Sequence, residues 1–116
     1  MRSKNKDKIY LNFEMQLNDG EIKGIGKEYN ENGKLIFEGE YCNDAKNGKG
    51  KIFNEKGKLI FEGEIYNDFK NGYGKDYFLN GKLKFEGIYI NNEKFIGFNY
   101  NNKGKIKKKK KNGKEI

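Results

Sequence analysis

A unit of 24 residues recurs along this chain and constrains its fold more than any other feature. Residues 33–40 read Gly-Lys-Leu-Ile-Phe-Glu-Gly-Glu, residues 57–64 repeat that string, and residues 81–87 read Gly-Lys-Leu-Lys-Phe-Glu-Gly. Between residues 33–56 and 57–80, 15 of 24 positions are identical, and these include the glycines, the apolar residues and the turn-forming groups. Such a period predicts stacked copies of one supersecondary unit.

The outer copies are degenerate, as terminal units of a repeat array are expected to be. Residues 10–14 lie one period before residues 34–38, but Met15 stands where later copies have glycine. The interval from Gly81 to Gly104 is 23 residues, so the last full copy has lost one residue. We therefore expect about four repeats over residues 1–104, followed by a lysine-rich tail or edge strand over residues 105–116.

Each unit has the pattern of a β-hairpin. Leu35, Phe37, Gly39 and Tyr41 alternate with more polar residues, which is the period of two that predicts a strand. Turn formers follow over residues 43–48, then a second short strand, then an Asn-Gly or Lys-Gly return to the next unit. The predicted fold class is all-β, a single-layer antiparallel meander of consecutive β-hairpins.

Paired glycines open every second strand, at positions 24 and 26, 48 and 50, and 72 and 74. They leave room for a neighbouring aromatic ring to lie over bare backbone. We predict an aromatic face built from Phe13, Tyr29, Phe37, Phe53, Phe61, Tyr77, Phe85 and Tyr100. Because a single sheet buries one face poorly, a homodimer that covers this aromatic face is one predicted assembly.

Residues 61–77 resemble a MORN repeat, which has an aromatic residue, Glu-Gly-Glu, a second aromatic, a turn and Gly-x-Gly. The resemblance extends over roughly residues 9–104, and the 24-residue spacing is most similar to the MORN-variant repeats of small antitoxin-like bacterial proteins. It implies a sheet of successive hairpins that serves as a non-enzymatic platform for proteins or acidic lipids, or as a toxin-neutralising partner. Ile88 departs from the pattern, since Glu40 and Glu64 stand at the same place, and this predicts a different exposed face in the last repeat.

The composition offers little material for catalysis. Histidine and threonine are absent, and Ser3 and Cys42 are the only serine and cysteine. Pairs such as Glu38 and Glu40 share a strand face, but they recur in every copy and cross-strand lysines can neutralise them. We expect a protein that is not an enzyme and that needs no cofactor or metal. The sequence has no run of about 18 apolar residues and no signal-peptide core, so we expect a cytoplasmic location.

Positive charge is concentrated at the C-terminal end. Residues 103–116 hold eight of the 25 basic residues and one of the 17 acidic residues, which leaves the rest of the chain nearly neutral. The candidate residues for contact with nucleic acid or acidic lipid are Lys105, Lys107, Lys108, Lys109, Lys110 and Lys111. A lysine run is also how an edge strand avoids pairing with other molecules, and Lys108 stands where the repeat would place a phenylalanine like Phe85.

Positions that break the repeat are the better candidates for a binding site, because the scaffold demands the same residues in every unit. Tyr66, Phe69, Tyr73 and Phe95 differ from their counterparts and lie near the predicted hairpin tips. Clustered exposed aromatics are typical anchors of a protein interface. The leading hypothesis is a small inhibitor, antitoxin or immunity-type protein that binds one protein partner. The alternative is a nucleic-acid or acidic-lipid binder that uses the lysine tail, including one that blocks a nucleic-acid-handling enzyme.

Overall fold

The computed structural model of the chain describes residues 10–18 and 21–115, with side-chain environments for residues 22–114. The described strands are β1 (Tyr10–Asn18), β2 (Glu21–Tyr29), β3 (Leu35–Cys42), β4 (Ala45–Phe53), β5 (Leu59–Tyr66), β6 (Phe69–Tyr77), β7 (Leu83–Ile90), β8 (Glu93–Tyr100), β9 (Ile106–Lys111) and β10 (Lys114–Glu115). They lie in one antiparallel sheet in chain order. This confirms the predicted meander of consecutive hairpins.

Two-residue turns close the hairpins of the inner units. Asn43 and Asp44 have φ angles of 51° and 73°, and the pairs Asn67-Asp68 and Asn91-Asn92 are also positive. Positive φ at both central residues defines a type I′ turn, which matches the twist of the strands and which Asn and Asp tolerate. The predicted turn over residues 43–48 is therefore shorter than expected, because β4 begins at Ala45.

A row of glycines crosses the sheet from β2 to β8. In cross-strand order it contains Gly26, Gly39, Gly50, Gly63, Gly74, Gly87 and Gly97. A Cβ atom at Gly74 would lie 2.7 Å from Cε1 of Phe61 and 3.0 Å from Cε1 of Tyr89. The rings thus lie directly over bare backbone at Gly50 and Gly74, as predicted, whereas the first glycine of each pair, Gly48 or Gly72, makes room for a glutamate carboxylate instead.

The buried side chains lie on one face of the sheet, which we call the core face. They are Phe37, Tyr41, Phe61, Ile65, Phe85 and Tyr89, all at most 7% exposed. Lysine ammonium groups cover the rings: Nζ of Lys46, Lys70 and Lys94 lies 4.3, 4.5 and 5.0 Å from the ring centroids of Phe37, Phe61 and Phe85. Carboxylates anchor these lysines, because Glu28 pairs with Lys46 at 3.4 Å and Asp76 pairs with Lys70 and Lys94 at 3.7 and 3.4 Å. The chain itself closes its aromatic face with cation–π and ionic contacts.

The predicted membership of the aromatic face is right for Phe37, Phe61 and Phe85 and wrong for Tyr77. It is wrong in the same way for Tyr29, Phe53 and Tyr100, which alternation from Gly26, Gly50 and Gly97 places on the opposite face. The Tyr77 hydroxyl donates a hydrogen bond to Glu62, which is the residue after Phe61 and points to the opposite face. Alternation along β6 from Gly74, which lies in the glycine row under the rings, places Lys75 and Tyr77 on the opposite face. Phe13 lies in β1, outside the residues whose side chains are described.

The residue missing from the last unit removes part of a β-bulge. Between β3 and β4 the register passes from Gly39↔Gly50 to Tyr41↔Lys46, so Glu40 faces three residues of β4. The β5–β6 pair has the same bulge, opposite Glu64. Between β7 and β8 only Phe95 is extra, because Ile88↔Ile96 is followed by Tyr89↔Lys94.

This difference in the bulge removes the structural role of a glutamate at position 88. Oε1 of Glu40 accepts a hydrogen bond from the Lys49 backbone N–H, and Oε1 of Glu64 accepts one from Tyr73, both at 2.9 Å. The wide bulge takes these N–H groups out of the ladder, and the carboxylate satisfies them. In the narrower bulge of the last unit, Ile88 instead pairs directly with Ile96.

The lysine-rich segment is part of the sheet. Of the two predicted forms, tail or edge strand, residues 106–111 adopt the strand and pair with β8 as β9. Lys108 lies opposite Asn99, and Asn99 lies opposite Phe85, so Lys108 takes the place of a core phenylalanine, as predicted. Because side chains alternate along a strand, Lys108 and Lys110 point to the core face, whereas Lys107, Lys109 and Lys111 point to the opposite face.

Candidate interaction face

The face opposite the buried rings carries a row of alternating charges, and we call it the ladder face. In direct cross-strand register the row contains Lys27, Glu38, Lys51, Glu62, Lys75 and Glu86. Opposite charges in register stabilise a sheet modestly and neutralise each other. The repeated glutamates therefore lie opposite the buried rings and beside lysines, as the sequence predicts.

Exposed apolar side chains cluster in the C-terminal part of the ladder face. Ile88 stands at the position of Glu40 and Glu64, and Phe98 at that of Lys51 and Lys75. Tyr73 and Ile96 stand at a position that holds Lys49 in one earlier unit and Ile25 in another. Tyr73, Ile88 and Ile96 lie side by side in register, and Phe98 follows Ile96 by two residues on the same face. Their exposed fractions are 42% for Tyr73, 39% for Ile88, 44% for Ile96 and 39% for Phe98. We call these four residues the C-terminal patch.

The Tyr73 ring is held in place at the border of the patch. Its hydroxyl donates a hydrogen bond to Oε2 of Glu86 on β7. This hydrogen bond, followed by desolvation, raises the pKa of Tyr73 to about 12. The contact restricts the ring before any partner arrives, which lowers the entropy cost of using it in an interface.

Tyr66 and Phe69 extend the exposed apolar surface toward a hairpin tip. They pair with each other across the β5–β6 turn and therefore share a face, and alternation along β5 makes it the ladder face. They are 60% and 47% exposed, and Ile90 at the next tip is 43% exposed on the same face. Three of the four predicted interface aromatics, Tyr66, Phe69 and Tyr73, thus lie exposed on one face.

Phe95 has a different environment from the other three predicted interface residues. It is the extra residue of the narrow bulge in β8 and is only partly exposed. The turn between β9 and β10 lies against it: its carbonyl accepts a hydrogen bond from the Gly113 N–H at 2.7 Å. Phe95 therefore helps to attach the last hairpin, and the patch lies beside it on β6, β7 and β8.

The six predicted lysines are divided between a loop and two faces. Lys105 lies in the return loop before β9, where its N–H donates to Oδ1 of Asn101 at 3.1 Å. Lys108 and Lys110 belong to the core face and Lys107, Lys109 and Lys111 to the ladder face, by strand alternation. Lys109 is directly opposite Phe98, with Nζ 5.7 Å from the ring centroid. The lysine run therefore borders the C-terminal patch with three of its members.

A groove of about 480 Å³ continues the ladder face toward the middle of the sheet. Side chains of both charges line it, among them Glu38, Lys51, Glu62, Lys75 and the patch residue Tyr73. The nearby carboxylates already have structural contacts, since Glu64 binds the Tyr73 N–H and Glu62 accepts from Tyr77. Glu62 and Glu64 at this groove therefore already stabilise the sheet itself.

Sequence reasoning missed Ile96 and Phe98 as site residues. Phe98 corresponds to Lys51 and Lys75 only when the one-residue deletion is placed at the bulge before Gly97. A continuous 24-residue alignment hides this replacement. Ile88 had a visible signal, because it breaks the repeated Glu-Gly-Glu string.

Comparisons with known proteins add no relatives: no protein-family model matches the chain, and no curated protein matches it. The resemblance to MORN-variant repeats therefore stays a prediction. Among the described residues, no helix is long and apolar enough to cross a membrane.

Proposed function

We propose that this chain is a non-catalytic, cytoplasmic repeat module that binds one protein partner through the C-terminal patch, as a small inhibitor, antitoxin or immunity-type protein. One observation carries the proposal. Ile88 stands where the earlier units hold Glu40 and Glu64, and Phe98 stands where they hold Lys51 and Lys75; Tyr73 and Ile96 lie beside Ile88 in register, and all four side chains are exposed. The resemblance to MORN-variant repeats supports the same class of function.

The physical argument rests on what the scaffold does and does not require. Glu64 and Lys49 show that the sheet folds with charges at these positions, so apolar residues there are not demanded by folding. Exposed apolar side chains cannot form the stabilising ion pairs of the ladder. Their transfer out of water becomes favourable only when another surface covers them. A protein surface that buries Tyr73, Ile88 and Phe98 would supply that cover.

The lysines of β9 support a second candidate function, binding of nucleic acid or acidic lipid. Lys107, Lys109 and Lys111 lie on one face of β9 and would contribute attraction that is strongly screened by salt. A homodimer through the aromatic face has a weaker basis. The core rings are at most 7% exposed within the chain, so a second copy would bury little more of them.

The proposal is tested with Ile88→Glu, which restores the residue that the inner units carry. The full chain and this variant are used to capture proteins from host lysate, with and without nuclease. Leu79→Ser is the control, because Leu79 is 65% exposed in a return loop at the other end of the strands. We expect one protein to be retained by the wild type and by Leu79→Ser, and its affinity for Ile88→Glu to fall about tenfold or more.

Two outcomes would contradict the proposal. Capture that Ile88→Glu leaves unchanged would separate binding from the patch. Capture that nuclease abolishes, or that disappears entirely at high salt, would favour the nucleic-acid or lipid function of the lysines.

A further inference from the structure

The charge alternation of the ladder face breaks at β8 and reverses at β9. Up to Glu86 every lysine of the row lies opposite a glutamate. The next two positions in register are Phe98 and Lys109, whereas continued alternation would place a lysine on β8 and a glutamate on β9. Lys109 therefore has an aromatic ring as its β8 neighbour in place of a carboxylate.

Strand alternation adds two more lysines to the same side of the sheet. Lys107 and Lys111 share the ladder face with Lys109, and all three are exposed. The apolar C-terminal patch lies one strand away, on β8 and β7. The result is a surface with an apolar centre and a positive border along one edge.

We propose that the partner contacts this surface with an acidic amphipathic segment, whose apolar side chains cover the C-terminal patch and whose carboxylates pair with Lys107, Lys109 and Lys111. The inference rests on the proposed function and specifies the chemistry of the partner. The apolar groups would lie over Ile88 and Ile96, between Tyr73 and Phe98. The carboxylates would lie about 5 Å further on, one strand spacing toward β9.

The balance of charge on the other border of the patch favours a protein segment over a membrane or a nucleic acid. Glu86, Lys75 and Glu62 lie in direct register in the row that leads away from Phe98, so this border is close to neutral while positive charge is concentrated along β9. An anionic bilayer or a run of phosphates would extend negative charge over the neutral row as well as over the lysines. A polypeptide can place its carboxylates only beside β9, which matches the charge at both borders.

The experiment is a selection from a random dodecapeptide display library on the immobilised full chain, with counter-selection on Ile88→Glu. We expect the peptides that depend on the patch to combine apolar residues with Asp or Glu, and to carry net negative charge. The best peptide is then measured against the wild type and the double variant Lys109→Glu/Lys111→Glu. We expect the double variant to bind about tenfold more weakly at low salt, with a smaller difference at high salt.

Matched controls separate the site from overall charge. Lys56→Glu/Lys58→Glu has the same net charge as the double variant but lies in the exposed return loop after β4. It should bind the peptide with wild-type affinity apart from the weak long-range effect of charge. Vesicles containing phosphatidylserine and a single-stranded oligouridylate are assayed in parallel, and they should bind more weakly than the peptide.

The possible failures of the inference and of the proposed function are distinguishable. Patch-dependent peptides that are neutral or basic, or whose affinity is unchanged by Lys109→Glu/Lys111→Glu, would overturn the acidic segment and leave the protein-binding patch standing. A library that yields no peptide sensitive to Ile88→Glu would overturn both. Preferential binding of the vesicles or the oligouridylate would overturn the acidic segment in favour of an anionic lipid or nucleic acid.

Discussion

Gly74 shows how closely the aromatic core depends on missing side chains. The glycine row brings backbone and rings into contact, and it lies under both Phe61 and Tyr89 at this position. Gly57 is a useful contrast, because its φ is +86° but nothing lies within 4 Å of the place of its Cβ. One glycine is required for space and the other for backbone conformation.

We predict that Gly74→Ala destabilises the protein by about 2–4 kcal/mol, because the new methyl group overlaps two buried rings. Gly57→Ala should cost only about 1 kcal/mol, the strain of a left-handed conformation. Urea unfolding followed by circular dichroism gives both values. An equal or larger effect at Gly57 would show that ring packing over the glycine row is not the dominant requirement.

The free energy of unfolding depends on pH in the alkaline range, because several tyrosines keep their protons more tightly in the folded state. Desolvation by burial is the main cause that raises the pKa of Tyr41, and Glu28 adds to it. Desolvation likewise raises the pKa of Tyr89, and Asp76 adds to it. The pKa of Tyr73 rises to about 12, first through its hydrogen bond to Glu86. A folded pKa above the unfolded value of about 10 means that the folded state holds the proton more tightly. This stabilisation is complete below about pH 10 and is lost as the pH rises through the folded pKa.

We therefore predict that unfolding in alkali coincides with ionisation of the core tyrosines. Tyrosinate absorbance and circular dichroism, recorded in the same titration, should change together above about pH 10. Tyr89→Phe removes one proton-linked contribution and should flatten the fall of stability with pH. Full ionisation of all eight tyrosines while the sheet remains intact would contradict this coupling.

At the scale of strands, the bulges decide which polar residues the repeat must keep. Glu40 and Glu64 serve the wide bulges of the inner hairpins by accepting backbone N–H groups. Gly48 and Gly72 leave space for the carboxylates, since a Cβ there would lie 1.9 and 2.1 Å from them. In the narrower bulge between β7 and β8, neither the glutamate nor its partner glycine is present. Position 88 therefore needs no carboxylate, and the apolar residue of the patch can occupy it.

We predict that Glu64→Ala destabilises the protein by about 1–2 kcal/mol, because it leaves the Tyr73 N–H without its acceptor. Glu64→Gln should cost less, since the amide oxygen can still accept. Glu55→Ala, in an exposed return loop, is the matched control and should stay within about 0.5 kcal/mol of the wild type. Thermal or urea unfolding distinguishes the three variants. Equal losses for Ala and Gln at position 64 would argue against the carboxylate acting as the acceptor.

For the whole molecule, β9 and β10 cover the edge of the repeat array. β9 pairs with β8 beside Phe98, and the β9–β10 turn lies on Phe95. Removing this segment therefore does more than remove positive charge. It opens a strand edge next to an exposed apolar patch, which is a template for association.

We predict that the chain truncated after Gly104 self-associates, whereas the full chain with Lys107→Ser, Lys109→Ser and Lys111→Ser does not. Light scattering after size-exclusion chromatography measures both masses. The comparison separates the effect of removing strand β9 from the effect of removing its positive charge. A monomeric truncated chain would show that β9 is dispensable for closing the sheet edge.

The hairpin fold could be predicted from the sequence because its determinants are local. The alternation over residues 35–41 and the Asn-Asp turns act between residues that are close in the chain, and the 24-residue period repeats them in each unit. The same holds for the three exposed aromatics Tyr66, Phe69 and Tyr73, which break the repeat visibly. Ladder pairing between neighbouring hairpins then follows from chain order alone.

Only the tertiary structure decided which face each side chain occupies and what covers it. The pairing of Gly74 with Gly63 fixes which side chains of β6 face the core, and Tyr77, three residues beyond Gly74, therefore meets Glu62 instead of joining Phe61. Alternation along β9 divides the run of lysines between two faces, and pairing of β9 with β8 brings the last turn against Phe95. The C-terminal patch also required the structure, because Tyr73, Ile88, Ile96 and Phe98 come from three strands that only pairing brings together.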